Sequence, residues 1–366
     1  TAFMHAVQLR HIEVALILLN HGAHLDIRGN QNHQGNTALL SAAKQGHDDV
    51  VKSLLDYGLK LDTEDTDGPH YTACMLAASH GHKKVVATFL DKGMDINAQS
   101  RNRQTILMAA AKTGQNKMVL SLLEKDAEVD IADRRGNTAL MMAVESGQLK
   151  NVRALIKHGA EVDKKNLFLN GETALLIAAE YKDGEILKTL LDNHANPNVQ
   201  DTWGKTALIS TAKKGFNNMV LSLLKAGADV NHQGEDNRTA LMEAAHNGHN
   251  DVVLSLLEHK ADTELQFGEY KKTALIIAVS RGHVGVVKSL LEFKADPAGA
   301  TRYTNNPEIW KLLLDHGAVP AMRGYTIAYE DGWDFKGSAL MYAADRGMEL
   351  FSLMTIIPSP PVVEMV

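Results

Sequence analysis

Apolar residues in this chain come in short paired bursts rather than long runs. Leu39, Leu40, Ala42 and Ala43 form one burst, Val50, Val51, Leu54 and Leu55 a second, and Gly46 separates them. The second burst has i, i+1, i+4 and i+5 spacing, which lays an apolar stripe along one side of a helix. The first is rich in small residues and predicts a short helix that a neighbouring backbone can approach closely. Thr37 stands before it, where a hydroxyl can accept from the first free helix amides, and Gly35 supplies a turn. Gly58 follows the second burst and predicts its C-terminal stop. A polar stretch then leads, as an extended turn, into the next pair.

The pair recurs. Its threonine stands at Thr1, Thr37, Thr72, Thr105, Thr138, Thr173, Thr206, Thr239 and Thr273, with Ser338 as a variant. Glycine recurs between the two helices at Gly81, Gly114, Gly147, Gly215, Gly248, Gly282 and Gly347. Helices this short do not hold alone, so their stability must come from stacking on neighbouring units. The length of 366 residues would otherwise suggest two or three globular domains. The period replaces that expectation with one elongated array of about eleven units.

Segments such as Gly204-Lys-Thr-Ala-Leu, Gly248-His249-Asn-Asp-Val-Val and Gly227-Ala228-Asp229-Val230-Asn231 resemble the ankyrin-repeat family. The resemblance runs in fixed register from about residue 1 to residue 350. It implies an all-α ankyrin-repeat solenoid of helix-turn-helix units with short β-turn fingers. Finger tips and the exposed side of the inner helices would then form a concave binding face. One departure is consistent: Ala38, Ala139, Ala174 and Ala207 stand where the family often has proline. Proline is pre-organised for the first helical position, so its absence is expected to cost a little stability and leave the fold unchanged.

The rhythm divides the chain into a regular array at 1–293, irregular repeats at 294–350 and a tail at 351–366. Ile309, Trp310, Leu312, Leu313 and Leu314 predict an outer helix, while the stretch from Pro297 to Asn306 replaces its inner partner. The finger after it is too long, and Tyr325, Ile327 and Tyr329 alternate as a small hairpin would. Eight of the 19 aromatic residues (3 Trp, 8 Tyr, 8 Phe) lie between Tyr303 and Phe351. They read first as a plug for the end of the stack, because terminal repeats are commonly atypical. The second reading is a recognition patch of Tyr325, Tyr329, Trp333 and Phe335. At the other end, Thr1 is already a motif threonine with no turn or initiating methionine before it. That predicts a fragment of a longer chain.

Composition narrows the chemistry. Aromatic residues make up only 5% of the chain, as expected when thin aliphatic layers replace one thick core. The lone Cys74 excludes an internal disulfide framework and fits a reducing compartment, cytoplasm or nucleus; delivery into a host cell would leave the same signature. A net charge of -6 gives no reason to expect nucleic acid, and no apolar run is long enough for membrane insertion. Of 17 histidines, His47, His82, His249 and His283 directly follow an inter-helix glycine and read as structural. His80 with His82, and His246 with His249, lack the partners of a tetrahedral metal site. Cys74 takes the place of Leu39, Leu140 or Leu175 in other units and reads as a buried small hydrophobe. Asp95, Asp229 and their equivalents follow each outer helix, so the repeat explains them. No phosphate loop, nucleophile elbow or zinc motif is present. The chain is expected to have no catalytic site, metal or cofactor.

Surface residues remain. Arg101 and Arg103 precede Thr105, and Arg134 and Arg135 precede Thr138, a basic pair on each of two adjacent fingers. Further tips carry Phe168, Trp203, Arg238 and Tyr270, and the ends of inner helices carry Lys112, Tyr181, Lys213, Lys214 and Arg281. Arg and Trp are enriched among interface anchors. The expectation is a monomeric, non-catalytic module that binds a protein partner through this face. The alternative is a targeting segment of a larger enzyme or secreted effector.

Overall fold

The computed structural model describes residues 2–21, 38–56, 69–166, 170–234 and 237–318. Among these residues every regular element is helical, and the sole β-type pairing is an isolated bridge between Phe267 and Lys272. The chain forms two compact units, Thr1–Ala207 and Leu208–Val366. In the first are α1 (Ala2–Gln8), α2 (Ile12–Asn20), α3 (Ala38–Gln45), α4 (Asp48–Asp56), α5 (Pro69–Ser79) and α6 (Lys83–Asp91). They continue with α7 (Ile106–Lys112), α8 (Asn116–Leu123), α9 (Ala139–Glu145), α10 (Leu149–Lys157), α11 (Ala174–Glu180) and α12 (Gly184–Asp192). The second unit opens on α13 (Ala207–Lys214). It then holds α14 (Asn217–Lys225), α15 (Ala240–Asn247), α16 (Asn250–Glu258), α17 (Ala274–Arg281) and α18 (Val284–Glu292). A single 3-10 turn (Ala300–Tyr303) then stands where an inner helix would be, followed by α19 (Pro307–Asp315).

Stacking follows the period. Inner helices form one layer, α1 on α3, α3 on α5, α5 on α7, α7 on α9 and α9 on α11 in the first unit, and α15 on α17 in the second. Outer helices form the other, with α8 against α10 and α12 beyond it, and α14, α16, α18 and α19 in series. Alanines make the inner layer possible: Ala77, Ala78, Ala110, Ala111, Ala244 and Ala245 are fully buried, so two helix backbones meet with little between them. The outer stripes are as completely buried, Val85, Val86 and Phe89 in α6 and Val252, Val253 and Leu256 in α16. Burying one such side chain contributes roughly 1.5–3 kcal/mol, part of it within the unit and part against the neighbouring repeats.

The threonines cap as the spacing predicts. Oγ1 of Thr138 accepts from Met141 N–H at 3.3 Å and that of Thr239 from Met242 N–H at 3.2 Å, with Thr105, Thr173 and Thr273 alike. Thr72 departs from this pattern. Helix α5 begins three residues earlier, at Pro69, whose fixed φ suits a first helical turn, and Thr72 therefore lies inside the helix. Thr37, Gly35 and Gly58 fall outside the described residues, as do the aromatic residues Tyr325, Tyr329, Trp333 and Phe335. No helix among the described residues is long and apolar enough to cross a membrane.

Candidate protein-binding surfaces

Two described fingers of the first unit are each built on one aspartate whose side chain folds back to the chain ahead of it. Asp133 Oδ1 accepts from Arg135 N–H and from Asn137 N–H, both at 2.8 Å. Asp201 repeats the arrangement with Trp203 N–H at 2.9 Å and Lys205 N–H at 2.8 Å. Such Asx turns fix the tip without help from the tip side chains, leaving those outward. Adjacent fingers are joined by backbone: Arg134 N–H donates to Asn102 C=O at 2.9 Å, and Thr202 N–H to Asn170 C=O at 2.8 Å. Arg101, Arg103, Arg134 and Arg135 are all exposed on the first of these joined pairs. Arg103 holds a φ of 58°, a left-handed conformation uncommon for residues other than glycine.

Trp203 is 48% and Tyr181 46% exposed, large apolar surfaces that no packing requires. Tyr181 is the residue directly after α11, with extended backbone, rather than a helix residue. Its surroundings are acidic, which spacing did not indicate. Burial, followed by Glu145, Glu172 and Glu180, raises the Tyr181 phenol above its ordinary range. Glu172 is also held above the usual carboxylate range, chiefly by burial and then by Glu180 and Asp201, against a hydrogen bond from Asn166. Lys205 Nζ reaches Glu180 at 2.5 Å. The aromatic part of this surface is thus bordered by carboxylates. Phe168 lies outside the described residues.

In the second unit Tyr270 is 75% exposed at the tip of the finger pinned by Phe267 and Lys272. Lys213 and Lys214 are exposed at the end of α13, and Arg281 is exposed at the end of α17. Arg238 is not an open tip. It donates to Glu243 Oε1 at 3.0 Å and lies 4.5 Å from the Phe267 ring centroid. Glu243 is itself buried in the first turn of α15, and the guanidinium compensates its charge.

A family model described as "Ankyrin repeats (3 copies)" matches residues 1–65, 74–166, 175–267 and 211–299. The chain belongs to the ankyrin-repeat family. Among solved structures it is similar to the human ASB11 ankyrin repeat domain, at 26% identity and a TM-score of 0.53. That match covers 60% of this chain and 97% of the other. A comparison with curated proteins gives no match.

The histidines of these ankyrin repeats bind backbone. Nε2 of His82 donates to Lys44 C=O at 2.9 Å, that of His249 to Lys213 C=O at 3.1 Å and that of His283 to His246 C=O at 3.0 Å. A carbonyl only accepts, so each Nε2 carries a proton. His47 differs, pairing with the Gln45 side chain at 3.1 Å. Among the described residues no group of three His, Cys, Asp or Glu is arranged to hold a metal. Cys74 is fully buried, and burial pushes its thiol up to about 12, far from the thiolate a nucleophile needs.

The loop carboxylates and amides following the outer helices join one ankyrin repeat to the next. Asn97 Oδ1 accepts from Glu128 N–H at 2.9 Å, and Asn231 Oδ1 from Asp262 N–H at 2.8 Å. Asp130 and Asp163 do the same for Glu161 and Asn196 N–H at 3.1 Å. Asp95 and Asp229 instead cap their own loops at Asn97 and Asn231 N–H. Buried Asn151 serves a similar end, donating to Ala111 C=O at 2.9 Å where α7 finishes. The repeated acids are legible as structural from the period, whereas the cross-repeat bonds show in the sequence only as an Asn or Asp two residues beyond the loop acid.

Proposed function

We propose that the chain is a protein-binding module that holds an extended segment of a partner across finger tips and inner helices. Ankyrin repeats generally bind proteins, and the fold is typically non-catalytic. The observation that carries the finer reading is the joined finger pair of the first unit. Four exposed arginines are presented there, and the turn carrying Arg134 and Arg135 is held by the Asp133 side chain rather than by theirs. Such pre-organised cations lose little freedom when they pair with carboxylates. Trp203 and Tyr181 add rigid apolar area, and Glu145, Glu172 and Glu180 around Tyr181 favour a basic residue there. The segment is thus of mixed charge, with acidic residues at Arg101, Arg103, Arg134 and Arg135 and an apolar or basic anchor near Trp203 and Tyr181.

Affinity capture with the purified chain supplies the partner, and variants then test the face. Arg134→Ala with Arg135→Ala, and separately Trp203→Ala, should each weaken binding about tenfold or more, as interface anchors do. Unchanged affinity in both, with helix content intact, overturns this face.

A further inference from the structure

In the second unit, cations and aromatic rings interleave across three consecutive loops. Phe267 and Lys272 pair across one finger, each N–H donating to the other's C=O at 3.1 Å. From the preceding finger, Arg238 lays its guanidinium 4.5 Å from the Phe267 ring centroid. On the other side, Lys272 Nζ is 5.6 Å and the Arg302 guanidinium 5.7 Å from the ring centroid of Tyr303, in the 3-10 turn. The order is therefore Arg238, Phe267, Lys272, Tyr303, Arg302. Arg281 extends the positive charge along α17. It and Arg238 act on the His246 imidazole at the end of α15, and the Arg238 guanidinium comes within 3.5 Å of His246 Nδ1.

Charge in this row is incompletely answered. Arg238 has Glu243, but among the described residues neither Lys272 nor Arg302 pairs with a carboxylate. Gathering like charges opposes folding of the unit, and the ring contacts that offset this leave the charges of Lys272 and Arg302 unneutralised. The row suits an external anion. A cation held over a ring is attracted by the ring face and restricted in its rotamers, so it gives up little freedom when a carboxylate arrives. The rings already carry cations on a face, which leaves less open area for stacking bases. Glu243 beside Arg238 would also oppose a continuous phosphate backbone, whereas a peptide places its charges discretely.

We propose that the row Arg238–Phe267–Lys272–Tyr303–Arg302 docks an acidic segment of a protein partner, its side-chain carboxylates pairing with Lys272 and Arg302. This rests on the reading of the chain as a protein-binding module, but not on the arginine fingers of the first unit.

The test is fluorescence anisotropy with labelled poly-glutamate, poly-lysine and oligothymidylate. It uses the full chain carrying Arg101→Ala, Arg103→Ala, Arg134→Ala and Arg135→Ala, so that the first-unit fingers cannot supply the signal. Poly-glutamate should bind saturably and weaken as salt rises. Adding Lys272→Gln with Arg302→Gln should lower its affinity about tenfold, the sum of two ion pairs in the upper half of their usual range. Phe267→Leu should also weaken it by releasing Arg238, while Lys288→Gln on α18 should leave it unchanged. The inference is overturned if poly-glutamate fails to bind or binds the Lys272→Gln, Arg302→Gln protein equally well. Preference for oligothymidylate would overturn it too. Any of these results leaves the first-unit face to stand or fall on the captured partner and Trp203→Ala.

Discussion

Two glycines of the second unit separate conformational cost from contact cost. Gly215 has a φ of 74° and Gly227 a φ of 87°, both left-handed. An alanine pays roughly 1–2 kcal/mol there, offset by about 0.4–1 kcal/mol because it has less freedom to lose on folding. A Cβ on Gly227 would meet nothing within 4 Å, so Gly227→Ala should cost about 1 kcal/mol. A Cβ on Gly215 would lie 2.6 Å from His249 Nδ1 and 2.9 Å from Cγ. The ring must move, and its hydrogen bond to Lys213 C=O at 3.1 Å goes with it. That bond is worth about 1 kcal/mol, which brings Gly215→Ala to about 2 kcal/mol. His249→Ala removes the obstructing ring, so in the Gly215→Ala background it should cost less than it does alone. Urea unfolding followed by circular dichroism, with denaturant slopes compared among the four proteins, gives the coupling. If Gly215→Ala costs no more than Gly227→Ala, or the cycle shows no coupling, the steric account is wrong.

Asp163→Ala, which deletes the acceptor of Asn196 N–H, should destabilise the first unit by about 1 kcal/mol; equal urea midpoints for the two proteins would show the bond contributes nothing. His246 is held below its ordinary range by burial first, then by Arg281 and Arg238 and more weakly by His283, against Glu243. The unfolded chain therefore takes up this proton first as pH falls, and stability declines through the ordinary histidine range down to the depressed value. Arg281→Gln should raise the imidazole titration midpoint seen by NMR; a midpoint that stays put or falls refutes the electrostatic cause.

What could be read in advance depended on how far away each residue's partner lies. Thr138 and Thr239 cap amides three residues on, so a local pattern predicts the bond. Gly215 and Cys74 were legible because the period repeats their surroundings with related residues. Asn97 and Asp163 accept from amides one repeat away, and nothing nearby in sequence identifies the donor. The acidic border of Tyr181 is harder still. Glu145, Glu172 and Glu180 come from two inner helices and a finger, unremarkable singly, and only stacking brings them to one ring. The Arg238–Arg302 row has the same origin. Candidate surfaces could therefore be named residue by residue, and charge within one finger could be read, but which charges from different repeats meet could not.

The bonds from Asn97, Asp130, Asp163 and Asn231 to the following loop all point the same way along the chain. In each of these four an acceptor on one repeat serves a donor on its successor. Excising one whole period inside such a run rejoins an acceptor to an equivalent donor, and duplicating one inserts a matched set. Neither event strands a member of this series. A gene encoding it can lengthen or shorten by unequal crossing-over and keep the series matched at the junction, provided the change is a complete period and in register.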